Sequence, residues 1–183
     1  MRRPDRASRL EERVFTLPNA LSLARLFMVP IVVVSLLSHA DGLAAALFVL
    51  AAVTDFLDGK LARRSGPTRV GRILDPVADR LMLSSVAVVL AVRGLLPAWA
   101  VAILVGRDLA TLVGGLVAGT KIRVNRVGKA ATAVLMVAMA LVVLVPGTAA
   151  GRVLFYAGFV LSVVAGFMYL RRVRRILGEG DGR

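Results

Sequence analysis

Cysteine is absent and histidine occurs once, at His39, in a chain of 183 residues. The first absence excludes disulfides, thiol nucleophiles and thiolate metal sites, and the second excludes a cluster of imidazole ligands. Aromatic residues make up 5% of the chain, too few for the stacking platform of a nucleic-acid binder, despite a formal charge of +13. Acidic residues are also scarce, 11 against 24 lysines and arginines, so a group of them in one place calls for an explanation.

What is abundant is apolar side chain. Hydrophobic residues account for 58%, the mean hydropathy is +0.80, and several apolar runs approach the length that spans about 30 Å of hydrocarbon. These features predict an all-α polytopic membrane protein, a bundle of six transmembrane helices at 17–38, 43–64, 71–92, 97–118, 126–145 and 149–170. The intervening "HADG", "SGPTRV", "RGLLP", "GTKIRVN" and "PGTAAG" are rich in Gly, Pro or polar residues and read as breaks. One domain, 17–170, is expected between a basic juxtamembrane segment, 1–16, and a basic tail, 171–183. The opening "MRRPDRASRLEER" is too charged to read as a signal peptide.

Lysine and arginine orient the bundle. Arg2, Arg3, Arg6, Arg9 and Arg13 precede the first helix, Lys60, Arg63, Arg64, Arg69 and Arg72 flank the second break, and Lys121, Arg123, Arg126 and Lys129 flank the fourth. Arg171, Arg172, Arg174, Arg175 and Arg183 follow the last helix, whereas only Arg93 and Arg152 lie at the opposite loops. By the positive-inside rule both termini and the two basic loops face the cytoplasm, which makes this a multi-pass protein of the cytoplasmic membrane. The surplus charge suits anionic lipid headgroups, with no role for nucleic acid.

Four aspartates stand in segments that otherwise look embedded: Asp55 and Asp58 late in the second helix, Asp75 and Asp79 early in the third. Spacings of three and four put each pair on one helical face, and antiparallel helices joined by a short loop bring the pairs together near the cytoplasmic surface. An aspartate near a bilayer centre costs about 2.5–3.5 kcal/mol on insertion scales. Four like charges at close range need a cation, and oxygen-only ligation suits Mg²⁺ or Mn²⁺. Two such ions, bridged by shared carboxylates, would clamp a pyrophosphate. Gly59 and Ala62 leave room beside Asp58, Arg63 offers a planar cation for phosphate oxygens, and Gly71 removes bulk from the facing helix. A purely structural account competes: Asp75 as an N-cap with Pro76 opening the helix, Asp55 and Asp58 neutralised by Lys60, Arg63 or Arg64, and the small residues as packing contacts.

The run Asp55-x-x-Asp58-Gly59-x-x-Ala62-Arg63, seven residues, then Gly71-x-x-x-Asp75-x-x-x-Asp79 resembles the signature of the CDP-alcohol phosphotransferases at all eight positions. Likeness extends more weakly over the six-helix core, including "LPNALSLARL" in the first helix. The resemblance implies that Asp55, Asp58 and Asp75 bind a pair of divalent metals. It makes Asp79, also facing the metals, the catalytic base toward the acceptor hydroxyl. It further implies that Asp58, Gly59, Ala62, Arg63 and Gly71 contact the CDP moiety, and that the protein is a homodimer opening to the cytoplasmic leaflet.

The expected reaction is direct attack of an alcohol on the β-phosphorus of CDP-diacylglycerol, releasing CMP, in phospholipid biosynthesis. For a phosphate-bearing acceptor the candidates are Lys121, Arg123, Arg126 and Lys129. Arg107 is a fifth, although neutralisation by Asp108 is the competing reading. Resemblance is to the phosphatidylglycerophosphate synthase and CMP-forming cardiolipin synthase branches. Glycerol 3-phosphate is the favoured acceptor and phosphatidylglycerol the alternative. A third possibility is an inactive membrane scaffold or CDP-lipid-binding subunit; against it, a scaffold gains nothing from burying four aspartates. A transporter would place its acids at the midplane rather than at one surface.

Overall fold

The structure, a computed structural model, describes the backbone at residues 17–65, 71–117 and 126–178 and the side chains at 19–54, 74–114 and 127–171. All described elements are helices: α1 (Leu17–Leu37), α2 (Asp41–Ser65), α3 (Gly71–Val92), α4 (Ala98–Val117), α5 (Arg126–Leu144) and α6 (Ala149–Gly178). Each stands where the sequence predicts one. The expected segment 1–16, and residues 179–183 of the expected tail 171–183, lie outside the described residues.

Among the described residues three stretches are long and apolar enough to cross a bilayer, Asn19–Leu37, Val127–Leu144 and Ala149–Arg171, which marks a membrane protein. Ionisable residues interrupt the other helices, Asp75, Asp79 and Arg80 in the first half of α3 and Arg107 with Asp108 in the middle of α4, and the apolar part of α2 is the shorter Asp41–Thr54. Large apolar side chains such as Phe27, Val34, Val92 and Val153 face outward, a surface matched to acyl chains rather than to water.

The chain divides into two units, Met1–Val86 and Ala87–Arg183. In the first, α1 packs along α2, burying Val32 and Leu36 of α1 and Ala44, Ala45, Phe48 and Ala51 of α2. A three-residue turn joins them. His39, at φ 59°, donates its N–H to the Leu36 carbonyl while Ala40 donates to Ser35, the paired bonds of a left-handed helix cap. Gly94 ends α3 in the same way at φ 72°, with its N–H bonded to Ala91 and that of Leu95 to Leu90.

In the second unit α6 packs against both α5 and α4. Trp99 of α4 meets Phe159 edge-on at 5.5 Å between centroids, and the Tyr169 hydroxyl donates to the Thr111 carbonyl at 3.4 Å, so α4 and α6 run parallel. Leu135 lies against Gly158, and Val142 against Gly151, so α5 runs antiparallel to α6. A Cβ at Gly158 would stand 2.9 Å from Leu135 Cγ and 3.1 Å from its backbone nitrogen. Gly158→Val is therefore expected to destabilise the protein by about 1–3 kcal/mol through overpacking. Gly106→Val, where nothing lies within 4 Å, should cost far less. Thermal unfolding in detergent checks both, and equal midpoints would refute the close α5–α6 contact.

The last helix runs on through Gly178, eight residues beyond the predicted end at 170. The first part of the expected tail is thus a continuation of α6. Arg171, at its start, places its guanidinium carbon 4.4 Å from the Phe167 ring centroid, a cation–π contact along the helix.

Candidate active site

Asp75 and Asp79 project from adjacent turns of α3 toward α1. The Ser22 hydroxyl donates to Asp75 Oδ1 at 2.5 Å, and the Arg25 guanidinium forms an ion pair with Asp79 Oδ1 through Nη1. Both contacts ascend in the two helices, 22 to 75 and 25 to 79, so α1 and α3 are parallel. Asn19, Ser22 and Arg25, three residues apart, share one face of α1 and are all buried. Arg25 keeps only 3% of its side chain exposed and Asp79 keeps 30%. A nearly buried guanidinium requires an anionic partner, since its desolvation is otherwise uncompensated.

These α1 residues do not figure among the expected site residues. Polar side chains at every third position of an apolar helix were the available signal, but the partner across 54 residues is invisible to local pattern.

The N-cap account of Asp75 is not realised. Helix α3 begins at Gly71, so Asp75 is the fifth residue in and Pro76 sits inside the helix. Proline there has no N–H to give the Arg72 carbonyl, an interior placement that costs about 3 kcal/mol. The Asp75 carboxylate is engaged by another helix rather than by its own first turn.

Helix α2 runs through Asp55, Asp58, Gly59, Ala62 and Arg63, but their side chains, and that of Gly71, lie outside the described residues. The hairpin with α1 returns the C-terminal half of α2 to the end of the first unit where α1 and α3 begin. Backbone direction alone thus carries all four aspartates to one end of that unit. Among the described residues no three carboxylates or imidazoles gather, because only Asp75 and Asp79 of the four are included. Carboxylate and hydroxyl oxygens are the donors present on α1 and α3, a set that fits a hard divalent cation.

In the second unit Arg107 donates through Nη1 to Oδ1 of its neighbour Asp108 at 2.7 Å. Its stem occupies the space a Cβ at Gly166 would need, 3.0 Å from Arg107 Cγ, and its buried Nε has no hydrogen-bond partner among the described residues. Arg126 opens α5, with its side chain outside the described residues, and Lys129 is exposed in the first turn. Lys121 and Arg123 lie outside the described residues.

Comparison with known proteins agrees with this chemistry. The profile of the CDP-alcohol phosphatidyltransferase family matches residues 15–164. The chain is 38% identical over 188 residues to a cardiolipin synthase (CMP-forming) of Streptomyces coelicolor, covering 91% of this chain and 86% of the relative. It is 35% identical over 178 residues to a probable phosphatidylglycerophosphate synthase of Mycobacterium tuberculosis, covering 91% and 85%. To the CDP-diacylglycerol–glycerol-3-phosphate 3-phosphatidyltransferase of Bacillus subtilis it is 33% identical over 138 residues, covering 65% and 72%.

Proposed function

Because the chain belongs to the CDP-alcohol phosphatidyltransferase family, we propose that it transfers the phosphatidyl group of CDP-diacylglycerol to a primary hydroxyl of a glycerol-type acceptor, releasing CMP. The observation that carries this reading is the aspartate face of α3, with Asp75 and Asp79 one turn apart and each held by a donor from α1. It lies at the end of the first unit to which α2 returns Asp55 and Asp58.

The family is divalent-metal-dependent in general. In this reading Asp55, Asp58 and Asp75 would hold the divalent ions, and Asp79 would serve the acceptor beside them. When bound, Mg²⁺ or Mn²⁺ supplies a Lewis acid that offsets charge on the pyrophosphate. Asp58, Gly59, Ala62, Arg63 and Gly71 cradle the CDP moiety, Arg63 through its planar fork and the small residues through close backbone approach. The acceptor oxygen attacks the β-phosphorus, the bond from that phosphorus to the CMP oxygen breaks, and the acceptor proton passes to the Asp79 carboxylate. With no cysteine in the chain, transfer in a single displacement is the economical path.

Six spans with both termini in the cytoplasm are the topology proposed. Its supports are the alternation of helix direction within each unit and the crowding of basic residues at one set of loops. The working unit is then a homodimer in the cytoplasmic membrane, as the family resemblance implies, with anionic lipids around its basic rim.

For the acceptor, the basic positions favour a phosphate-bearing alcohol. Arg126 and Lys129 occupy the first turn of α5, where the helix dipole disfavours cations, and a bound phosphate would compensate both. Glycerol 3-phosphate is the first reading. Phosphatidylglycerol is the second, favoured by the identity to the Streptomyces cardiolipin synthase. Incubating purified protein with CDP-diacylglycerol and each acceptor, then measuring CMP release, separates them; no release with any glycerol acceptor would leave only a scaffold or binding role.

The same assay tests the loop. Arg123→Gln or Arg126→Gln is expected to raise the acceptor KM about 10- to 150-fold, since a charge-assisted contact is worth about 1.5–3 kcal/mol, while the KM for CDP-diacylglycerol moves little. A purely topological role predicts poorer insertion with normal kinetics in the inserted fraction.

A further inference from the structure

Arg25 is the only buried cation among the described residues, at 2% exposure, and it stands within a stretch of α1 apolar enough to span a bilayer. Chain topology does not require it there, because a topogenic arginine works from a loop rather than from a packed helix face. Its placement is expensive in hydrocarbon, and its ion pair is made with the aspartate read as the base.

The two α3 aspartates are one turn apart and chemically alike, yet α1 treats them differently. Ser22 brings Asp75 a hydroxyl, which adds no charge, whereas Arg25 brings Asp79 a full positive charge. A carboxylate that bridges two cations commits both oxygens to them. One whose Oδ1 is taken by a guanidinium is restricted in orientation, and its negative charge is already matched by an internal cation. We propose that Arg25 is a positioning residue that divides the labour of the aspartates, holding Asp79 out of the metal-bridging role and aimed at the acceptor hydroxyl. Ser22, one turn earlier on the same face, holds Asp75 through a neutral hydroxyl. Helix α1 is thereby a wall of the site as well as a membrane anchor. The inference rests on the reading of Asp79 as base.

The test compares Arg25→Gln, Arg25→Lys, Asp79→Asn and the double variant Arg25→Gln/Asp79→Asn in full-length protein. It reads Mn²⁺ binding by electron paramagnetic resonance, the KM for CDP-diacylglycerol, and kcat. Arg25→Gln is expected to lower kcat about 10²-fold, the scale of a misplaced reacting group, with Mn²⁺ affinity and KM within about threefold of the parent. Arg25→Lys should recover part of the loss. The double variant should turn over no more slowly than Asp79→Asn, because the two residues act as one unit. Parent-like kcat in Arg25→Gln, or Mn²⁺ affinity falling in step with kcat, would overturn the assignment. Should Arg25→Gln alone fail to insert, the neutral double variant decides: a further loss multiplied onto that of Asp79→Asn overturns the proposal, and an equal rate supports it. Parent-like turnover in Asp79→Asn would remove the base reading itself, whereas an inert Asp79→Asn beside a normal Arg25→Gln would remove only the role of Arg25.

Discussion

Asp79→Asn is expected to lower CMP release by about 10²–10⁴-fold, the usual contribution of a positioned proton acceptor, while CDP-diacylglycerol still binds. Asparagine keeps the shape of the side chain and one oxygen for Arg25, but it can neither take the acceptor proton nor balance the guanidinium. Loss of that charge also destabilises the fold. Removing one partner of a buried pair costs about 3–5 kcal/mol, and the exposure of Asp79, 30% of its side chain, moderates this figure through solvent screening. Turnover should therefore be compared in protein shown to be folded by its thermal transition. Asp75→Asn is expected to differ in kind: Ser22 still has an oxygen to donate to, but the site loses an anionic ligand, so Mn²⁺ binding, CDP-lipid binding and turnover fall together. Identical loss of lipid binding in the two variants would refute the division between base and ligand.

Chelation is expected to have the second large effect. EDTA should reduce CMP release to background, and Mg²⁺ or Mn²⁺ should restore it, because Asp55, Asp58 and Asp75, in the proposed role of metal ligands, would repel one another without a cation between them. A readout independent of turnover is available. A ligand held at 100 times its Kd stabilises the state that binds it by about 2.7 kcal/mol, so saturating Mn²⁺ should raise the unfolding midpoint of the parent protein and leave that of Asp75→Asn nearly unchanged. Full turnover in chelator would exclude metal assistance. A midpoint that rises equally in parent and Asp75→Asn would place the ion elsewhere.

Helix positions were legible because hydropathy and breakers act locally. Apolar runs closed by Gly, Pro or polar residues set the start of α3 at Gly71 and of α5 at Arg126, and the spacing of Asp55, Asp58, Asp75 and Asp79 already gave two one-sided carboxylate pairs. The end of α6 was not legible in the same way. Hydropathy marks where a span stops, whereas the backbone of "RRVRRILG" remains helical through Gly178 because Arg, Leu and Ile are compatible with helix whether or not lipid surrounds them. Tertiary structure decided the rest. Asp75-Pro76 reads locally as a cap followed by a first turn, but α3 starts earlier and tolerates an interior proline, leaving Asp75 to accept from Ser22. Arg25 reads as one more basic residue of a basic chain until α1 and α3 lie parallel and set its guanidinium against Asp79. Sequence periodicity states which side chains share a face. Only the packing of two helices, driven by burial and by the need to match a charge taken out of water, states which faces meet.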